Sequence, residues 1–257
     1  MDVAHTWKEL ADACVSIARS YPALTAGLED TILGATPAQG LARLLGRTLH
    51  PVWLSAAGIA TVACAEFDRS GDLVAAVLED LEAISTRNLE PGGAAWAWLG
   101  NRGFHILAAH RVIHALWTNG QRPVALAVKA GLASLGVDIH PAARFGRRIF
   151  LDHGVGLVIG ETTTIGDDVS IWHGVTLGST LMQDGDRHPK VGSGAVIGAG
   201  ATVLGNIGIG EGAIIASGSM VLKPVPPFTV VAGNPATPRS GYRHPYGYPN
   251  PLKSEVA

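Results

Sequence analysis

From Val191 onward the chain places an aliphatic residue at every sixth position: Val191, Ile197, Val203, Ile209, Ile215 and Val221. Glycine follows the aliphatic residue at 192, 198 and 210. Upstream, Ile139, Phe145, Leu151 and Leu157 keep the same step, and a shifted frame then gives Ile159, Ile165, Ile171 and Leu177. Six is not a multiple of 3.6, so an α-helix would scatter these residues around its surface. Six is even, so in extended chain all of them face one side. Hexapeptide repeats of this kind are a signature of a parallel β-helix. Each repeat supplies a short strand and a turn, and three repeats make one triangular coil. The aliphatic residue points into the prism, and glycine or another small residue turns the corner. Repeats so short cannot bury their apolar face alone, so the coils must stack. The frame breaks between Leu177 and Val191, where Ser179 to Lys190 is polar and reads as a loop excluded from the solenoid.

The first half obeys a different period. Thr36-Pro37-Ala38-Gln39 is a capping box with proline at the first helical position, ahead of Leu41, Leu44, Leu45 and Leu49. Leu73, Val74, Val77, Leu78, Leu81 and Ile84 have the spacing of a core-facing helical stripe, and Phe104, Leu107, Ile113, Leu116 and Trp117 repeat it before Asn119-Gly120. Trp7 to Ala18 and Val124 to Leu135 add two further candidates. The expected fold class is α+β: a bundle of roughly six helices followed by a left-handed parallel β-helix. The expected domains are a helical assembly domain over 1–137, a β-helix over 138–225 with a loop excursion at 179–190, and a C-terminal tail over 226–257. Of the 33 glycines, 20 lie after residue 137, where the turns are.

Charge and composition exclude several classes. A net charge of −2 offers no electrostatic reason for nucleic-acid binding. The longest apolar run, Pro51 to Ala65, stops at Glu66, short of the ~20 residues that span a bilayer. The start, Met-Asp-Val-Ala-His, has no basic region of a secretory signal. Cys14 and Cys64 match no metal spacing, so a reducing compartment and a soluble cytoplasmic protein are expected. His110 and His114 stand four apart, but no His-Glu-x-x-His string accompanies them, and no metal is expected. His140 and His173 read as turn or subunit-contact residues.

Hexapeptide solenoids can be scaffolds, metal sites or acyltransferases, so function must come from residues. Acyl transfer from a thioester needs a base for the attacking hydroxyl and donors for the oxyanion. A histidine backed by a carboxylate is an economical base. The chain carries, in order, Asp138-Ile139-His140-Pro141, Leu151-Asp152-His153-Gly154, Val175-Thr176-Leu177-Gly178, Asp186-Arg187-His188-Pro189-Lys190, Gly198-Ala199-Gly200-Ala201, Leu204-Gly205-Asn206-Ile207 and Pro224-Val225-Pro226-Pro227. This ordered set resembles the serine O-acetyltransferase family over about residues 84–237. Gly103-Phe104-His105 and Arg111-Val112-Ile113-His114 extend the resemblance into the helical half.

The resemblance implies acetyl-CoA as co-substrate, an amino-acid acceptor and O-acetylserine as product, for cysteine biosynthesis. It implies His153 as general base and Asp138 as the carboxylate that orients it. Arg187, with His188 beside it, would hold the acceptor carboxylate, and Asp152 its ammonium. Gly178, Ser179, Ala199 and Ser217 would line the coenzyme, with Lys223 at a phosphate. The resemblance also implies a homotrimer with sites between subunits, paired by the helical halves into a hexamer.

Three departures matter. The family's Arg-Asp-Pro is Thr86-Arg87-Asn88-Leu89 here, so Asn88 stands where an aspartate helps hold the ammonium. Its Gly-Gly-Thr-Gly is Gly178-Ser179-Thr180-Leu181. The chain ends Lys253-Ser254-Glu255-Val256-Ala257, without the terminal isoleucine that docks cysteine synthase, which argues against a tight complex with that enzyme. The alternatives are the same chemistry on another serine-like hydroxy or amino acid, for which Asn88 is the motive, and a non-catalytic scaffold. A scaffold has no need for Asp138, Asp152, His153, Arg187 and His188 together.

Overall fold

The computed structural model describes residues 2–88, 92–180 and 184–249. It divides into two compact units, Met1–Gly136 and Val137–Ala257. Leu89, Leu181, Gln183, Pro251 and the tail Lys253–Ala257 lie outside the described residues.

The first unit is all helical: α1 (Val3–Ser20), α2 (Thr25–Thr31), α3 (Pro37–Thr48), α4 (Ala56–Arg69), α5 (Gly71–Arg87), α6 (Gly93–Gly100), α7 (Arg102–Thr118) and α8 (Arg122–Lys129). That is eight among the described residues against the roughly six expected; α2, α4 and α6 are the ones with no candidate stripe in the sequence. At seven and eight residues α2 and α6 span few turns, and α4 lies in the continuous apolar run that ends at Ala65. The capping box at Thr36 forms: Gln39 N donates to Thr36 Oγ1, and Thr36 N donates to Gln39 Oε1. Trp98 is fully buried, edge-on to Trp7 at 5.5 Å and beside Phe104 at 6.0 Å. Arg111 reaches the buried Asp80 carboxylate through Nε at 2.8 Å and Nη2 at 3.0 Å. Gly40 of α3 passes so close to α1 and α2 that a Cβ there would overlap both the Trp7 ring and the Thr31 carbonyl. The carbonyl belongs to a helix and cannot move alone. Gly40→Ala is therefore expected to lower stability by about 1–3 kcal/mol, read from the shift of the urea midpoint.

The second unit is the parallel β-helix. Its first coil holds β1 (Asp138–Ile139), β2 (Arg144–Phe145) and β3 (Phe150–Leu151). The second holds β4 (Val158–Ile159), β5 (Thr164–Ile165) and β6 (Ser170–Ile171). The third has β7 (Thr176–Gly178), β8 (Lys190–Val191) and β9 (Val196–Ile197), and the fourth β10 (Thr202–Leu204), β11 (Gly208–Ile209) and β12 (Ile214–Ile215). Strand β13 (Met220–Val221) opens the last coil, which closes with the antiparallel pair β14 (Val230–Gly233) and β15 (Ala236–Arg239). The prism has three faces. The first face runs β1-β4-β7-β10-β13, the second β2-β5-β8-β11, and the third β3-β6-β9-β12-β14-β15.

The sixth-residue aliphatics stack in register, Ile139 on Ile159 on Leu177 on Val203 on Val221. All five are 2% exposed or less, so this ladder is the apolar core of the first face. The frame shift after Leu151 has a local cause: Ile159 follows Leu151 by eight residues, where Leu177 follows Ile171 by six. The two extra residues enlarge one turn, 152–157, and Leu157 is buried beside it rather than heading a strand.

The aromatic segment beyond β15 packs onto the third face. Tyr246 stacks on Trp172 at 6.4 Å and meets Phe150 edge-on at 5.9 Å. Tyr242 donates to Gly212 O at 2.9 Å, and Tyr248 donates to Glu211 Oε1 at 2.9 Å. Up to residue 249 the segment is thus ordered by contact.

Candidate active site

Each coil passes from the third face to the first through a tight turn, and these turns form one edge of the prism. Gly174 N donates to Val155 O, Gly200 N to His173 O and Gly218 N to Ala199 O, at 2.8, 2.9 and 2.8 Å. The bonds stack His153, His173, Ala199 and Ser217 in a column, one turn per coil. The enlarged turn carries His153. Its φ of 57° is in the left-handed region, followed by Gly154 at 80° and Gly156 at 77°. For a histidine that conformation costs about 1–2 kcal/mol, strain of the kind that collects at functional sites. It leaves the side chain 67% exposed, with Nε2 3.6 Å from Asp152 Oδ2. That separation is too long for a hydrogen bond but close enough for electrostatic attraction to an imidazolium. The His173 ring lies 5.7 Å away, centroid to centroid. Asp138 enters the first face at this same edge: its N–H donates to Leu157 O at 2.9 Å, and it pairs with Val158.

The opposite edge of the first face holds the second cluster. Here the excluded loop returns to the solenoid through Arg187, His188 and Lys190. Thr162, at the same corner one coil earlier, anchors it. Its Oγ1 accepts from Arg187 N at 3.0 Å and from His188 N at 3.1 Å. Lys190 Nζ donates to Thr162 O at 2.8 Å, to His188 O at 2.6 Å and to Asp186 Oδ1 at 2.6 Å. Arg187 Nη2 donates to Glu161 Oε2 at 2.7 Å, and Nη1 to Gly185 O at 3.0 Å. The Arg187 guanidinium holds the Glu161 carboxyl below the usual range. His188 is buried, and a Cβ at Gly160 would overlap its ring. Burial, then the Arg187 and Lys190 charges, pull its imidazole below its ordinary value.

The residues that sequence points to therefore fall on two edges. His153, Asp152, Asp138, Ala199 and Ser217 share one. Arg187, His188, Gly178, Ser179 and Lys223 share the other; Gly178 O there accepts from Gly205 N at 3.0 Å. From Gly156 to Gly160 the first face is four residues wide, roughly 13 Å of extended chain. Asn88 belongs to the helical unit, where it ends α5 and donates its N–H to Ile84 O at 3.0 Å.

Residues 6–109 match the family model described as serine acetyltransferase, N-terminal. Over 232 residues the chain is 40% identical to the serine acetyltransferase of Salmonella typhimurium, covering 90% of this chain and 85% of that one. The chain belongs to the serine acetyltransferase family. Serine acetyltransferase 2 of Arabidopsis thaliana is 52% identical over 161 residues, 62% of this chain, and the match spans 50% of the relative's length. A crystal structure of the Brucella abortus serine acetyltransferase in complex with coenzyme A superposes with a TM-score of 0.87 at 36% identity. It covers 90% of this chain and 94% of that one.

Around these clusters the structure adds residues that sequence reading passes over. Glu161, Thr162 and Gly160 surround Arg187 and His188, about 26 residues away along the chain, so only coil stacking brings them together. His173, read from sequence as a turn or contact residue, proves to lie against His153. Its signal was faint: His153 and His173 are twenty residues apart, the spacing of an enlarged coil rather than of a plain one. Among the described residues no group of three or more His, Cys, Asp or Glu is arranged to hold a metal ion, and His110 and His114 lie ring to ring at 6.0 Å. No described helix is long and apolar enough to cross a membrane.

Proposed function

We propose that the chain is an acetyl-CoA-dependent serine O-acetyltransferase, forming O-acetylserine and CoA for cysteine biosynthesis in the cytoplasm. The observation that carries this reading is His153, held exposed in a strained turn beside Asp152 in a chain of the serine acetyltransferase family. His153 takes the proton of the acceptor hydroxyl, and the alkoxide oxygen attacks the acetyl carbon. The carbon–sulfur bond then breaks, and the proton passes from His153 to the departing CoA thiolate. Asp138 and Asp152 both border the turn. Asp138 orients the imidazole, and Asp152 receives the acceptor ammonium and helps stabilise the imidazolium. Arg187 and His188 take the acceptor carboxylate, a planar anion that suits a guanidinium fork. Gly178, Ser179, Ala199 and Ser217 line the coenzyme, with Lys223 at a phosphate.

The placement of these residues on two edges favours a trimer about parallel axes, in which the His153 edge of one subunit faces the Arg187 edge of the next. The helical units then pair two trimers.

The test is CoA-thiol release with a panel of hydroxy amino acids. Release with serine alone supports the proposal. Release with another acceptor moves it to the second reading, which Asn88 favours because an amide carries no charge for an ammonium. Release with none rejects it. Asn88→Asp is expected to lower the KM for serine by about tenfold, since hydrogen bonds to charged groups contribute about 1.5–3 kcal/mol. An unchanged KM removes Asn88 from the acceptor site.

A further inference from the structure

We infer that Thr162 is a positioning residue, which fixes His188 as a neutral Nε2–H donor and aims it, with Arg187, at the acceptor carboxylate. The inference rests on the proposed transferase reading only for the identity of the acceptor; the proton placement stands on geometry.

His188 Nδ1 lies 3.2 Å from Thr162 N and 2.9 Å from Thr162 Oγ1. A backbone amide can only donate, so Nδ1 must be an unprotonated acceptor. The hydroxyl oxygen already accepts from Arg187 N and His188 N, so both its lone pairs are used. Its single proton lies within reach of Nδ1 and of the Asp186 carboxylate, to which the Thr162 side chain also hydrogen-bonds, so the amide is the group that fixes Nδ1 as an acceptor. The ring proton is left on Nε2. Protonating Nδ1 would break the bond from the Thr162 amide. The ring is buried and packs against Gly160, where no Cβ fits. The charged and titratable groups facing it are Arg187, Lys190, Glu161 and His140, and the first two, with burial, disfavour an imidazolium.

A histidine in this state cannot serve as a proton acceptor at either nitrogen. It binds rather than takes the hydroxyl proton, the role the proposed function gives to His153. One cation and one neutral donor on consecutive residues match the two oxygens of a carboxylate, and Thr162 holds the backbone of both. The sequence string Asp-Arg-His-Pro-Lys shows the donors but not this anchor, which sits one coil earlier.

The test uses the full chain. In 15N magic-angle-spinning NMR of 15N-histidine-labelled protein at neutral pH, the resonances lost in His188→Gln are expected to show a bare Nδ1 and a protonated Nε2. A protonated Nδ1, or a doubly protonated ring, overturns the inference. Thr162→Val removes the hydroxyl at nearly constant volume. It is expected to raise the acceptor KM by about 10- to 100-fold with kcat within about threefold of the native value, and Thr162→Ser to restore KM. A change confined to kcat, an unchanged KM or failure of serine to rescue also overturns it. If Thr162→Val does not fold, the serine variant and the native spectrum still decide. If no amino acid accepts acetyl, the proposed function falls, and the spectrum alone judges the proton placement.

Discussion

His153→Ala is expected to lower turnover by about 10²- to 10⁴-fold, the usual contribution of a general base, with the β-helix intact. The reasoning starts from the turn. The imidazole is 67% exposed and makes no core contact, so its removal opens no cavity. The backbone at 153 is left-handed, and alanine tolerates that no better than histidine. His153→Asn is therefore the cleaner companion, because asparagine adopts this conformation readily and cannot act as the base. Both variants should unfold at denaturant midpoints close to the native one while CoA release collapses. Turnover within tenfold of native in either variant would remove His153 from the mechanism. A loss of turnover that tracks a loss of fold in alanine, but not in asparagine, would assign the residue a structural role instead.

The second large effect is a gain. Chains carrying His153→Ala and chains carrying Arg187→Ala are each expected to form inactive homo-oligomers. Co-assembled in equal amounts, they should regain activity of about a quarter of the native level, because random pairing of edges places an intact His153 edge against an intact Arg187 edge in about one interface of four. The physical basis is the width of the first face. A serine-sized acceptor cannot touch both clusters of one chain across roughly 13 Å of sheet. If the mixture is no more active than the sum of its separate parts, the two edges do not form one site between subunits, and the trimeric reading falls with it.

How much of this was legible beforehand differs between core and site. The hexads from Val191 to Val221 announce themselves because an inward position recurs every sixth residue whatever surrounds it, and the structure buries each of these residues. The helices α3, α5 and α7 are equally visible through their stripes and caps. Helices α2 and α6 are not, because a stripe needs more turns than they have. Of the candidate site residues, His153 and Arg187 stand in local strings that a sequence reading can pick out. Glu161, Thr162 and Gly160 were not, because nothing in Gly-Glu-Thr marks it as the seat of a loop that returns 26 residues later.

The sequence by itself determined that the second half is a stacked solenoid, and which residue types it offers for acyl transfer. Periodicity does this, since burial repeats with the chain. The tertiary structure decided which edge each of those residues occupies. The turns differ in length, with two extra residues at 152–157 and the excursion after Gly178, yet the strands on either side still stack in register, Val158 on Asp138 and Val191 on Ile165. Period marks which residues point inward, whereas which turns lie over one another follows only from that stacking, with the extra length held outside the prism.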